Sequence, residues 1–262
     1  MSAAPAGRGA PNDASWGRAR KRAALVFALA ATVSAATLAS SAATDAKGVR
    51  PSATASNSSP YNITTKFALA AAEMPVYRGP STRSPVLKKL AYYTPDNEAL
   101  QTYRFVSSRR VGRTQWERID VPMRPNGQTG WVKRSWLGAT RVSHTLIIVD
   151  IAAETLTLYN RGKVEFTAPV GTGAPGTPTP TGRYWIAEAF PSSSPFYGPW
   201  AFGTTDYATD TEFPDGSIVG IHGTDQPQLI PGDPSHGCIR LKDQDILKLK
   251  PLVSIGTPVW IQ

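Results

Sequence analysis

Cysteine is almost absent from this chain of 262 residues: there is one, Cys238. A lone cysteine forms no internal disulfide, and without a second there is no Cys-x-x-Cys pair for a structural zinc site. Histidine is scarce too, at three. No cysteine stands directly after the apolar N-terminal stretch, which argues against a lipid-modified N-terminal cysteine. The net charge of +9 comes with no long basic stripe and no nucleic-acid motif, so nucleic acid is not an expected partner. Strongly apolar runs of membrane-spanning length are missing as well. Residues 23–39 are short and alanine-rich, whereas a stable membrane span needs about 20 strongly apolar residues.

The ends of the chain differ in kind. Residues 18–22 are basic, 23–39 are Ala, Val, Leu and Phe with scattered Thr and Ser, and small residues follow to Thr44. That order reads as an export signal over residues 1–43, cleaved near Ala43, with a retained membrane anchor as the alternative. Residues 1–50 hold seven basic and two acidic side chains. The remainder is mildly basic, which suits an anionic cell envelope. Residues 44–62, rich in Ser, Thr, Ala, Asn and Pro without hydrophobic period, read as a solvated linker.

Residues 63–141 read as a small all-β unit. Turn signals recur at Arg78-Gly79-Pro80, Thr94-Pro95-Asp96-Asn97 and Pro125-Asn126-Gly127, with short β-prone runs between them. The run from Trp116 to Val121 alternates apolar and polar, as a half-buried strand does. Val76-Tyr77-Arg78-Gly79-Pro80-Ser81, Gln115-Trp116 and Gly130-Trp131-Val132 together resemble a bacterial SH3-like domain. The resemblance implies a spacer or a module that binds cell-wall peptides. Trp116 and Trp131 themselves are expected to be core.

Residues 142–262 read as a second, β-dominated sandwich or barrel. Thr145–Val149 is a continuous apolar run, Thr155–Tyr159 alternates, and Asn160-Arg161-Gly162-Lys163 turns the chain into Val164–Ala168. Asp243–Lys250 alone reads as helix. Between Phe190 and Phe213 lie seven aromatics without a period of 2 or 3.6, which reads as a long irregular loop, a lid or substrate wall. Trp200 and Tyr207 are its expected substrate contacts.

The chemistry gathers near the end. Ser217–Ile221 is an apolar strand that delivers His222-Gly223-Thr224, and a proline- and glycine-bearing loop leads to Ser235-His236-Gly237-Cys238. A thiol needs a base or cation beside it to become a nucleophile. Export would place this one in an oxidising compartment, where a free thiol calls for a reason. A buried inert thiol is the bland alternative. Gly237 leaves room for a substrate carbonyl, and the amides of Gly237 and Cys238 suit an oxyanion hole.

His222-Gly223-Thr224 followed by Ser235-His236-Gly237-Cys238-Ile239-Arg240-Leu241 resembles the L,D-transpeptidase catalytic domain, the YkuD family. Gly171-Thr172-Gly173 and Pro178–Tyr184 resemble it too. The resemblance implies a cysteine acyltransferase acting on peptidoglycan stem peptides, with no cofactor and no metal. Cys238 would attack the carbonyl of the third stem residue and expel the terminal D-alanine. The thioester would pass to the amine of an acceptor stem, giving a 3→3 cross-link. On that pattern His222 is the base and the Gly223 carbonyl orients it. His236 steadies the loop or the oxyanion region, and Ser235 meets substrate. Arg240 fixes the loop, meets a substrate carboxylate, or sits in a structural ion pair. A monomer in the cell envelope is expected.

Other readings stay open at this point. Hydrolysis of the same thioester would make an L,D-carboxypeptidase. A decayed site would leave a non-catalytic wall-binding protein. A zinc site of His222, His236 and Cys238 lacks a fourth protein ligand. A papain-like peptidase carries its cysteine before its histidine, the reverse of the order here.

Overall fold

The computed structural model describes residues 59–90, 92–94, 99–209 and 218–262. The expected export signal and most of the expected linker lie outside them. Among the described residues, no helix is long and apolar enough to cross a membrane.

The architecture is mainly β, built as two sheets. The first holds β1 (Thr65–Leu69), β2 (Met74–Tyr77), β3 (Val86–Leu90), β4 (Thr102–Val111), β5 (Thr114–Asp120), β6 (Thr129–Lys133) and β7 (Arg141–Ser143). Their spatial order is β3-β2-β6-β5-β4-β1-β7. Its core gathers Ala68, Met74, Val76, Tyr103, Ile119 and Val132, each fully buried. Trp116 is buried, as expected; Trp131 is only half-buried.

The second sheet holds β8 (Thr145–Asp150), β9 (Thr155–Asn160), β10 (Lys163–Pro169), β11 (Gly171–Gly173), β12 (Gly182–Pro191), β13 (Trp200–Tyr207), β14 (Ile218–His222), β15 (Gly232–Ser235), β16 (Ile239–Arg240) and, after helix α1 (Asp243–Leu249), β17 (Pro258–Ile261). The order is β10-β9-β8-β17-β12-β13-β14-β16-β11-β15. One core joins strands from most of this sheet with Ile246 and Leu249 of α1. Burying a Leu or Ile side chain contributes roughly 1.5–3 kcal/mol, and the apolar strand residues carry that stabilisation.

Sequence chemistry explains the local geometry. Arg161 and Gly162 both take positive φ, 49° and 77°, so a tight mirror-image turn joins β9 to β10. Acidic Asp243 and Asp245 lie in the first turn of α1 and Lys248 in its last, which complements the helix dipole.

Two expectations are corrected. Residues 59–62, read as the end of a solvated linker, dock on the β9–β10 hairpin, with the Tyr61 ring 4.4 Å from that of Tyr159. One aromatic anchor outweighs an otherwise polar composition. The aromatic segment after Phe190 is not a long irregular loop. It completes β12, makes a short turn, and forms β13. Alternation is missing because β13 is buried on both faces over much of its length.

Candidate active site

β14 and β16 run parallel, with Ile221 beside Ile239 and His222 beside Arg240. The intervening loop therefore returns to its starting point, one position short of β16, at Cys238. Val219, Ile221 and Ile239 are fully buried in the core. Alternation then puts Gly220 and His222 on the opposite face. Gly220 donates its N–H to Cys238 Sγ at 3.4 Å. A Cβ on Gly220 would sit 3.4 Å from His222 Cδ2 and 3.9 Å from Cys238 Sγ. Thiol and imidazole thus flank one bare backbone position.

The histidine has a fixed tautomer. Its Nδ1 lies 2.6 Å from the Gly223 carbonyl, which only accepts, so Nδ1 carries the proton. Nε2, on the ring edge that faces Gly220, keeps its lone pair; among the described residues it is buried with no hydrogen-bond partner. Gly223 is itself wedged. Its N–H bonds to the Trp200 carbonyl at 3.3 Å, and Thr224 N–H bonds to Asp243 Oδ1 at 2.9 Å.

Electrostatics favour a neutral pair. Burial pushes the His222 pKa down to about 4, against a rise from the Gly223 carbonyl and with a further push down from Arg240. Burial raises the Cys238 thiol, while the Gly220 N–H and the Arg240 guanidinium lower it and Asp206 raises it. The arrangement suits a base that takes the thiol proton as sulfur attacks.

The loop before Cys238 is braced internally. Ser235 Oγ donates to the Cys238 carbonyl at 2.6 Å and accepts the Gly237 N–H at 3.1 Å. Thr179 Oγ1 donates to the Gly237 carbonyl at 2.9 Å and accepts the Gly173 N–H at 2.8 Å. Gly237 stands at φ 121°, and a Cβ there would press on Ala208 Cβ at 3.0 Å, so only glycine fits.

This geometry revises several expected roles. Ser235 is buried and serves the loop rather than facing substrate. Of the two amides expected to form an oxyanion hole, that of Gly237 is already engaged by Ser235. Trp200 is not on the thiol's face. Its strand neighbour Ala201 lies opposite His222, and Trp200 packs on the core and on Phe202 beneath Lys250. Tyr207 ends β13 with the Arg124 guanidinium 5.3 Å above its ring. His236 is exposed beside the loop. Among the described residues Arg240 forms no ion pair. It is 4% exposed, bonds weakly to Gln226 Oε1 at 3.4 Å, and lies over the Phe196 ring at 4.7 Å. Its Nε is buried without a partner among those residues.

Sequence reasoning missed other groups here. Phe196 and Tyr197, on a turn between β12 and β13, place their rings 5.9 and 4.8 Å from the imidazole. The aromatic density of the segment pointed there without saying which rings. Asn126 reaches across from the first sheet. Its Nδ2 donates to the Tyr207 carbonyl at 2.9 Å and to Asp206 Oδ1, and its Oδ1 accepts the Tyr207 N–H at 3.1 Å. Arg124 donates to the Ala208 carbonyl at 2.6 Å, behind Gly237. Asp206 is fully buried, and burial pushes its carboxyl up to about 8 despite hydrogen bonds from Tyr184, Asn126 and Tyr207. Among the described residues no three of His, Cys, Asp and Glu form a group that could hold a metal ion.

The L,D-transpeptidase catalytic domain model matches residues 144–261. YkuD of Bacillus subtilis, which bears the name of an L,D-transpeptidase, is 34% identical over 116 residues, covering 44% of this chain and 64% of that protein. The chain thus spans somewhat under two thirds of that relative. YqjB of the same organism, also named for this activity, is 27% identical over 124 residues. The solved catalytic domain of an Enterococcus faecium L,D-transpeptidase is 29% identical, covering 45% of this chain and 96% of that one, with a TM-score of 0.35. Over residues 144–261, the stretch that holds His222 and Cys238, the chain is similar to the L,D-transpeptidase catalytic domain.

Proposed function

We propose that the protein is an exported peptidoglycan L,D-transpeptidase that forms 3→3 cross-links through a thioester on Cys238. One observation carries the reading: the single thiol of the chain and a tautomer-fixed imidazole flank the bare backbone of Gly220. In this mechanism Sγ bonds to the carbonyl carbon of the third stem residue as His222 Nε2 takes the thiol proton. The Cys238 N–H donates to the oxyanion. Collapse breaks the C–N bond, and His222 returns the proton to the departing D-alanine amine. The acceptor amine then attacks the thioester and gives its proton to His222. The C–S bond breaks, and the sulfur recovers that proton.

Phe196 and Tyr197 shelter the imidazole, which favours an amine acceptor over water. The first sheet, with the expected SH3-like unit at residues 63–141, serves as a spacer or wall-binding module at the extracytoplasmic face of the membrane. Purified protein incubated with a disaccharide-tetrapeptide tests the reading by mass spectrometry. A 3→3 dimer and a covalent adduct are expected, both lost in Cys238→Ala. Tripeptide alone would make the protein an L,D-carboxypeptidase. Substrate bound with neither adduct nor product would leave a wall-binding protein.

A further inference from the structure

Charge is shared unequally along the chain. Residues 63–141 hold 14 Lys and Arg against 5 Asp and Glu, whereas residues 142–262 hold 7 against 12. The part that carries the thiol is therefore acidic and the part before it strongly basic. Among the described residues, the acids of the basic part are all engaged. Glu73 pairs with Lys89 at 2.8 Å, Asp120 pairs with Arg104, and buried Glu117 accepts from Ser108 Oγ.

The surplus gathers on one hairpin. β4 pairs with β1 only from Thr102 to Arg104, and β5 pairs with β6 only from Trp116 onward. From Arg110 to Gln115 the β4–β5 hairpin thus projects as a two-stranded finger, turned at Gly112 with φ 56°. Arg109, Arg110 and Arg113 are exposed there and form no ion pair among the described residues. At the base of the finger, Arg109, Trp116 and Lys133 stand in one cross-strand row; the next row on the same face is Ser107, Arg118 and Trp131. Cations and indoles therefore alternate over that face. Lys133 Nζ lies over the Trp136 ring at 5.0 Å, and Arg118 donates from Nε and Nη2 to Thr129 Oγ1 at 3.0 and 2.7 Å. Charges that only guard a free strand edge serve with either sign. Here every charged side chain exposed on β4, β5 and their turn is positive. Like charges crowded together repel, so a ligand that neutralises them is favoured.

Three features narrow the occupant. Guanidinium forks dominate, and their paired donors match the oxygens of a phosphate. Arg109 and Arg110 leave opposite faces of β4, so a flat surface meets one of them while a thin chain wound round the finger meets both. The tip offers a single exposed valine, Val111, whereas a tip that enters a bilayer presents Trp, Phe or Leu. We propose that the β4–β5 hairpin is a docking finger for a linear phosphodiester polyanion, held by Arg109, Arg110 and Arg113 at the tip and by Arg118 and Lys133 on the face below. The proposal rests on the reading of the first sheet as a wall-binding module and gives that module a partner; Cys238 takes no part in it.

The test measures binding of labelled poly(glycerol phosphate) to the purified protein by fluorescence anisotropy, between about 50 and 200 mM salt. Wild type is compared with a triple variant, Arg109→Gln, Arg110→Gln and Arg113→Gln combined. Thermal melting and acylation of Cys238 by a tetrapeptide donor are followed in both and should be unchanged. The triple variant should bind about 50-fold more weakly near 0.15 M salt, and its log–log salt slope should be flatter by about 2, roughly 0.7 for each cation removed. No binding of the polymer by wild type, or binding that the triple variant keeps, would overturn the proposal. Equal affinity for polyglutamate would reduce the finger to its net charge and overturn the phosphodiester assignment. Tighter binding to phosphatidylglycerol vesicles than to the polymer, lost in the same variant, would overturn it in favour of a membrane surface. Absent acylation with polymer binding intact would overturn the transpeptidase reading and leave the finger standing.

Discussion

Replacing His222 with glutamine, and following the one thiol of the chain across pH, tests the neutral-pair description of the site. Burial takes the imidazole from its ordinary value of 6.5 to about 4. That shift corresponds to about 3 kcal/mol against the imidazolium. At pH 7 about one imidazole in a thousand then carries a second proton. Burial raises the thiol at the same time. The resting site is therefore thiol beside neutral imidazole, and no thiolate–imidazolium pair is preformed. Iodoacetamide alkylation followed by intact mass reports on Cys238 alone, because no other cysteine exists. The rate should rise in one step above pH ~8.5, the ordinary thiol value, with no plateau between about pH 5 and 8. Acylation by a tetrapeptide donor should show its acid limb near pH 4, where His222 gains a proton. The two groups titrate as a pair, so the limbs belong to the pair. His222→Gln should alkylate at high pH within a few-fold of wild type but acylate about 10²–10⁴-fold more slowly, the contribution of a positioned general base. A fast alkylation plateau at pH 6–7 that His222→Gln abolishes would refute the reasoning, because it would reveal a preformed ion pair.

Gly223→Ala would drive a methyl into Asp243 Oδ1, the Gly198 backbone and the Pro199 ring, so stability should fall by the ~1–3 kcal/mol of overpacking and acylation should drop as the carbonyl leaves Nδ1. Gly237→Ala, at φ 121° against Ala208, should slow acylation more than alkylation, since it displaces the Cys238 amide rather than the sulfur's exposure. Asp206 binds its proton up to about pH 8 in the folded chain but only to about 4 when unfolded, so the folded state holds the extra proton in between. Its contribution to stability is full below about pH 4 and is lost as pH rises to about 8. His222 works with the opposite sign, its contribution present above 6.5 and lost as pH falls toward 4. Melting temperature between pH 6.5 and 8 should therefore decline in wild type and flatten in Asp206→Asn. The same variant should alkylate faster at pH 9, because the carboxylate that raises the thiol is gone. Asn126→Ala leaves the Tyr207 backbone and Asp206 without their cross-sheet partner, which should lower stability by about 1–3 kcal/mol per buried group left unmet and slow acylation. Unchanged melting in that variant would sink the bracing role.

The strands were legible because their apolar residues recur at period 2 or in unbroken runs, as at Thr145–Asp150 and Ile218–His222. The helix was legible from apolar Ile246, Leu247 and Leu249, the lysines toward its end and Pro251 just beyond. β13 was not, since a strand buried on both faces has no alternation to read. Tyr61 was lost in the average composition of the segment around it.

Residue types at close sequence spacing determined the thiol and its histidine, because only one cysteine is present and a strand delivers His222 to its end. Tertiary structure decided what those types do. Parallel pairing of β14 with β16 set Cys238 beside Gly220. Cross-strand register turned Trp200 to the other face. Burial, a property of the packed molecule, keeps the His222 imidazole neutral and holds a proton on Asp206 up to about pH 8. The contacts of Asn126 and Arg124 join segments about 80 residues apart, beyond the reach of any local pattern.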